Sequence, residues 1–303
     1  MDIFLSVISI YFFILLGFLA KTKLKDELQE KTLVIISIYF LQPMLTFWGL
    51  STKSIDYKLI QTPLIYMSIS ILCIIISFTI AKIFFADPKE KSIITISSAI
   101  GNTGNIGIPV GIALFGYQSI IYTSMINVAN VFLVYTIGVY FYSRGQFNIK
   151  DSLTNILKLP LIWFAFLALL LNILQVQIHV SILKALEMGA YAAMVLQLMI
   201  FGMFLYSIKI KTLNLKLLGY VSSIKFIIIP IVSIIILKNL DLDDFMISVI
   251  MLELLVPLAV TNVNLASLYN CNPIDVTSLV FFTSIIFIPY ITIVIYLFNI
   301  LQI

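Results

Sequence analysis

A chain of 303 residues that is 61% hydrophobic and only 11% charged, with a mean hydropathy of +1.13, falls well outside the roughly 45–50% apolar and about 25% charged of soluble domains. It reads as an integral membrane protein whose first partner is the lipid bilayer. Its 18 Lys and Arg outnumber 14 Asp and Glu, but most stand in short gaps between apolar runs, so no basic patch exists for nucleic acid; two cysteines and one histidine exclude a disulfide framework, a cysteine zinc cluster and histidine-based triads.

Apolar runs of about 20 residues, bounded by charges or turn residues, predict ten spans at 3–20, 32–50, 60–84, 93–115, 119–142, 160–178, 185–206, 216–238, 245–269 and 274–299. The first lacks a basic n-region and a small-x-small cleavage site, so it reads as a span and not as a leader. Thirteen of the 18 bases, among them Lys21, Lys31, Lys82, Lys91, Arg144, Lys158, Lys209 and Lys216, fall in the odd-numbered gaps, and Lys53, Lys58, Lys184 and Lys238 fall on the other side. The positive-inside rule then makes the odd gaps cytoplasmic and places both termini outside. No gap is long enough to be a soluble domain, so the spans must carry the function.

Ten spans divide into five plus five, and an odd number per half inverts the second half in the membrane. Sliding the chain by 154 residues lays Leu114 on Leu268, Ile120 on Ile274, Thr123-Ser124 on Thr277-Ser278 and Tyr142 on Tyr296. The expected organisation is a first five-helix repeat at 1–142, a cytoplasmic connecting loop at 143–159 and a second five-helix repeat at 160–303.

The same offset lays span four over span nine, the two most polar and proline-interrupted segments. Span four contains Gly101-Asn102-Thr103-Gly104-Asn105-Ile106-Gly107-Ile108-Pro109. Proline removes a donor and frees the carbonyl four residues earlier, here that of Asn105. Such backbone is tolerated at membrane depth only under protein cover or beside a wet cavity. At about 100° per residue Asn102, Asn105 and Pro109 share a face roughly 60° wide. In span nine, Glu253, Pro257, Thr261 and Asn264 fall within about 80° on the same wheel, and Pro257 frees the carbonyl of Glu253. Glu253 is the deep acid of the sequence, and an intramembrane carboxylate is a functional candidate by default. Lys225 in span eight is a conceivable partner, although it lies near enough to the cytoplasmic end to snorkel, the reading preferred for it. Pro43 after Gln42, Gln197, and Asn127 and Asn130 read first as kinks and packing contacts.

The stretch Ser98-Ala99-Ile100-Gly101-Asn102-Thr103-Gly104-Asn105-Ile106-Gly107-Ile108-Pro109, followed by Ala113-Leu114-Phe115-Gly116, resembles the fourth-helix signature of the auxin efflux carrier family. Leu41-Gln42-Pro43-Met44-Leu45, Lys158-Leu159-Pro160 and Pro257-Leu258-Ala259 fit the same family, so the resemblance extends over the whole chain. The short gap between spans five and six resembles the compact prokaryotic branch, which includes malate and malonate permeases. The resemblance implies an all-α fold of two inverted five-helix repeats, similar to bile-acid sodium symporters, with broken spans four and nine crossing at mid-membrane. It also implies a scaffold of spans 1, 2, 6 and 7, a moving core of spans 3–5 and 8–10, and a homodimer built through the scaffold. Asn102, Thr103, Asn105 and Pro109 match the first crossover element and Pro257 the second; Asn105 stands where an apolar residue is commoner.

The function expected is secondary transport of a small organic anion, a mono- or dicarboxylate of the auxin or malate/malonate kind, by alternating access at the crossing. Half-helix N-termini would meet the carboxylate, with Asn102, Thr103, Asn105, Pro109, Pro257 and Thr261 as substrate-binding residues. Glu253 and Asn264 are the candidate coupling-ion residues, for Na⁺ near Glu253 or for H⁺; no other cofactor is called for. The alternative is an ion channel or passive pore lined by the same groups. No Gly-x-Gly-Asp, His-Glu-x-x-His or Gly-x-Ser-x-Gly motif points to an enzyme.

Overall fold

The computed structural model describes residues 2–52, 56–143, 154, 156–206 and 214–301. The expected connecting loop at 143–159 lies mostly outside the described residues, as do the bases Lys53, Arg144, Lys150, Lys209 and Lys211. The described chain is helical: α1 (Asp2–Leu24), α2 (Glu30–Leu50), α3 (Tyr57–Phe84), α4 (Pro88–Ser97), α5 (Thr103–Phe115), α6 (Tyr117–Tyr142), α7 (Pro160–Ile173), α8 (Val180–Tyr206), α9 (Leu215–Lys238), α10 (Asp244–Leu255), α11 (Thr261–Leu268) and α12 (Pro273–Leu301). No strand occurs among the described residues. Six of these helices hold stretches long and apolar enough to cross a membrane, Glu30–Leu50, Leu59–Phe84, Tyr117–Tyr142, Val180–Tyr206, Leu215–Lys238 and Pro273–Val294, so the chain is a multi-pass membrane protein.

Spans four and nine are each two helices, α4 with α5 and α10 with α11, interrupted at 98–102 and 256–260. Span six ends earlier than hydropathy predicts. Gln175 adopts φ +54° and the Val176 N–H turns back to the Leu171 carbonyl at 2.9 Å, a helix stop built by backbone geometry that an apolar count does not register.

Three helices widen by one residue per turn just before a proline. The wide turns Ser37–Leu41, Thr103–Gly107 and Ile224–Ile228 precede Pro43, Pro109 and Pro230 and contain the carbonyl that each proline leaves without its usual donor. Local widening re-routes the hydrogen bonding, which lipid would not replace.

α1 packs along α8, and α7 and α8 both pack on α2. Glycine sets the first contact: a Cβ on Gly202 would lie 2.8 Å from the Ile14 carbonyl carbon and 2.9 Å from the Phe18 nitrogen, so the two backbones touch. Elsewhere α3 packs on α4 and α6, α9 on α10, and α11 on α12.

Candidate functional site

The two interruptions meet. Residues 100–102 and 257–259 run antiparallel with Gly101 opposite Leu258; the Asn102 N–H donates to the Pro257 carbonyl at 2.8 Å and the Ala259 N–H to the Ile100 carbonyl at 3.0 Å. Each broken segment thereby satisfies the other's backbone in a place where water is scarce. Proline fits at 257 because this pairing uses only its carbonyl. Gly101 is required by the close approach, since a Cβ there would meet Val256 Cγ2 at 2.9 Å.

Two asparagines lock the crossing, each backed by a tyrosine. Asn130 Nδ2 donates to the Gly101 carbonyl at 3.0 Å and to Thr103 Oγ1 at 3.1 Å, while its Oδ1 accepts from Tyr66 OH at 3.1 Å. Asn262 Nδ2 donates to the Ile100 and Ala259 carbonyls, both at 3.1 Å, and its Oδ1 accepts from Tyr142 OH at 3.0 Å. Asn130 thus does the packing work assigned to it from sequence. Asn262 escaped the sequence reading because a wheel drawn through an unbroken span nine turns it away from the polar face.

Beside the crossing lies a cavity of about 270 Å³ whose walls come from α2, α5, α6, α7, α8 and α11 and from both crossing segments, through Gly101, Asn102, Ala259 and Val260. The first residues of α5 and α11 open into it, so two helix N-termini direct their positive dipole ends there. None of its described lining residues is charged. Three buried lining side chains have polar atoms without a hydrogen-bond partner among the described residues: Asn102 Nδ2, Ser37 Oγ, and both Gln197 Oε1 and Nε2. Gln42 Nε2 reaches Asn105 Oδ1 at 3.4 Å, and the Thr103 hydroxyl donates to Asn127 Oδ1 at 2.9 Å.

Of the substrate-binding residues expected from sequence, Asn102, Thr103, Asn105 and Thr261 line this cavity together with Asn264, named there for the coupling ion. Pro109 and Pro257 do not line it; they are buried and shape the backbone beside it. The single polar face drawn through Glu253, Pro257, Thr261 and Asn264 does not exist, because the break at 256–260 resets the helical phase. Asn264 is exposed and faces the cavity, whereas Glu253 is fully buried away from it, its carboxylate packed against Gly107 with Cδ 2.6 Å from where a Cβ would stand. Neither Glu253 oxygen has a hydrogen-bond partner among the described residues.

Lys225 does not snorkel. It is 1% exposed, sits in the wide turn of α9, and its Nζ donates to the Leu254 carbonyl at 2.9 Å. The end of α10 offers carbonyls released by the helix break and the negative end of the helix dipole, which together hold the ammonium inside. Among the described residues it forms no ion pair with Glu253; the pair present is Lys21 with Glu30, at 2.9 Å. Sequence reasoning also passed over Ser37 and treated Gln197 as packing. The available signal was a glutamine in the middle of a long apolar span, where an amide needs partners.

A family described as membrane transport protein matches residues 2–295 of the chain. The chain is also 25% identical, over 296 residues and 94% of each protein, to an uncharacterized transporter of Methanocaldococcus jannaschii.

Proposed function

We propose that this chain, which belongs to the membrane transport protein family, is a secondary transporter that binds a small organic anion in the cavity beside the crossing. The observation that carries the reading is the Asn102 amide: a buried donor without a partner among the described residues, on a residue that lines a cavity into which two helix N-termini open. Dipole ends and neutral donors suit a carboxylate, which they hold without the desolvation cost of a buried lysine or arginine.

Transport then proceeds by alternating access, with α3–α6 and α9–α12 carrying the site relative to a scaffold of α1, α2, α7 and α8. The mutual packing of α1 on α8 and of α7 and α8 on α2 supports that division. The inverted pairing of the two halves, a kinship of fold with bile-acid sodium symporters, external termini and a homodimer through the scaffold belong to the same reading. Coupling is assigned to Glu253, with H⁺ and Na⁺ as the two ions to be separated.

Purified protein screened by thermal shift against C3–C6 carboxylates, with and without Na⁺, tests the reading, since a ligand that binds the native state raises its melting point. A carboxylate that stabilises the wild type, fails to stabilise Asn102→Ala, and supports counterflow in proteoliposomes is the expected result. Stabilisation by no carboxylate overturns the substrate class, and flux without saturation or counterflow makes the protein a pore.

A further inference from the structure

The cavity holds more polarity than a carboxylate uses. Two helix N-termini carry about half an elementary charge each, which together balance about one anionic group. No described lining side chain is charged, and the nearby Lys225, whose Nζ comes within 3.4 Å of where a Cβ on Gly101 would stand, does not line the cavity and donates to the Leu254 carbonyl, so a second carboxylate would meet no counter-charge in the lining. The remaining unpartnered groups are neutral and come from other helices: Ser37 Oγ on α2 and the whole Gln197 amide on α8, 2% and 3% exposed.

These two stand on packed neighbours, since α8 packs against the wide turn Ser37–Leu41. Neither side chain follows the usual habit of its type. Ser77, Ser97, Ser233 and Ser284 each donate to the carbonyl four residues earlier, whereas the hydroxyls of Ser37, Ser70, Ser124 and Ser222 have no partner among the described residues, and of these four Ser37 is the one in the cavity lining. Gln197 has neither amide atom engaged, which is costly in a buried place unless something entering the cavity engages it. A carbonyl oxygen with both lone pairs open calls for a hydroxyl-type donor, and Nε2 and the Ser37 Oγ, both on residues of the cavity lining, are donors suited to the oxygen of such a group.

Resting on the carboxylate reading above, we infer that Gln197 and Ser37 form a second subsite that binds a neutral hydroxyl of the substrate. The preferred substrate class is therefore a hydroxylated monocarboxylate and not a dicarboxylate. The subsite sets specificity: Asn102 and the helix ends hold the charged group, and Gln197 with Ser37 distinguishes what the rest of the molecule presents. A hydroxyl lost from the ligand leaves the amide to water at best, so the expected discrimination is at least about tenfold in affinity.

The test is calorimetric titration of the purified full chain with a matched four-carbon set: butyrate, the 2-, 3- and 4-hydroxybutyrates, and succinate. One hydroxybutyrate should bind at least about tenfold more tightly than butyrate and than succinate. Gln197→Leu should collapse the hydroxyl preference, bringing the tightest hydroxybutyrate to within about threefold of butyrate measured in the same variant, a change in ratio that a merely structural role does not produce. Ser37→Ala provides the same readout if Gln197→Leu does not fold. A hydroxyl preference that survives in the variants, butyrate equal to every hydroxybutyrate, or succinate as the tightest ligand overturns the subsite while leaving the carboxylate reading intact. Absence of binding by all five acids removes that reading, and the subsite falls with it.

Discussion

Replacing Asn262 by leucine, close in size but without the amide, should loosen the crossing measurably. Three side-chain hydrogen bonds disappear: the two from Nδ2 to the Ile100 and Ala259 carbonyls and the one from Tyr142 OH. Both carbonyls retain a backbone partner, from the Ala259 and Asn262 N–H groups respectively, so the group left stranded is the Tyr142 hydroxyl. At about 0.6 kcal/mol per interhelical bond in membrane proteins the direct loss is about 2 kcal/mol, and the stranded hydroxyl adds about 1. A total of about 3 kcal/mol corresponds, for a chain of 303 residues, to a fall of roughly 5 °C in the melting temperature of detergent-purified protein. Tyr142→Phe removes one of the same bonds and should cost about 1 kcal/mol. The double variant should then fall short of the sum, because the shared bond is counted once. An Asn262→Leu protein melting within about 1 °C of wild type, or strict additivity with Tyr142→Phe, would refute the assignment of Asn262 as the lock on the crossing.

Glu253→Gln should retain carboxylate-induced stabilisation, because the side chain lies outside the cavity, yet lose either the pH response or the Na⁺ response of uptake; both responses intact would remove Glu253 from coupling. A double-mutant cycle with Lys225→Met should show an interaction energy above about 0.5 kcal/mol, since the two buried charges feel each other although they form no ion pair, and strict additivity would show that they act independently. Gly202→Ala should destabilise by about 1–3 kcal/mol as its methyl group drives α8 from the α1 backbone, whereas Gly219→Ala, with open space around it, should be neutral or mildly stabilising. For topology, an impermeant thiol reagent outside intact cells should label a cysteine placed near residue 302 and spare one near residue 26, with little background from the buried Cys73 and Cys271; the reverse pattern would invert the orientation.

Hydropathy and proline placement made much of this architecture legible. Apolar runs located the helices, and Gly101 and Pro257 marked where two of them break; Pro109 lies past its break, inside α5, and Pro63 and Pro289 sit within continuous helices, so a proline alone does not announce an interruption. The direction of side chains beyond each failure was not legible. A wheel assumes continuous phase, so it grouped Glu253 with Asn264, which the break at 256–260 sends to different surroundings, and it overlooked Asn262, which holds the break together. Lys225 misled for another reason. Its distance from the membrane surface can be read from the chain, but the carbonyl that captures it belongs to a helix whose end exists only because of that break. Ser37 and Gln197 are ordinary residues in apolar helices, and what sets them apart, polar atoms without a partner among the described residues on side chains of the cavity lining, is revealed only by the packed fold.

The antiparallel pairing at the crossing also constrains how the chain is made. The Asn102 N–H and the Ile100 carbonyl depend on Pro257, Ala259 and Asn262, which leave the ribosome roughly 155 residues later. At about 5–20 residues per second that delay is about 8–30 s. During it the first half holds an open helix break in the bilayer with its Gly101 carbonyl met by its own Asn130 but the flanking groups still waiting. The first half is thus an incomplete insertion intermediate that needs shelter from lipid, by a chaperone, the insertion machinery or trapped water, until the second half arrives. Biogenesis of this protein is consequently all-or-none across the membrane domain, and truncations between residues 143 and 256 should be degraded instead of accumulating as half-transporters.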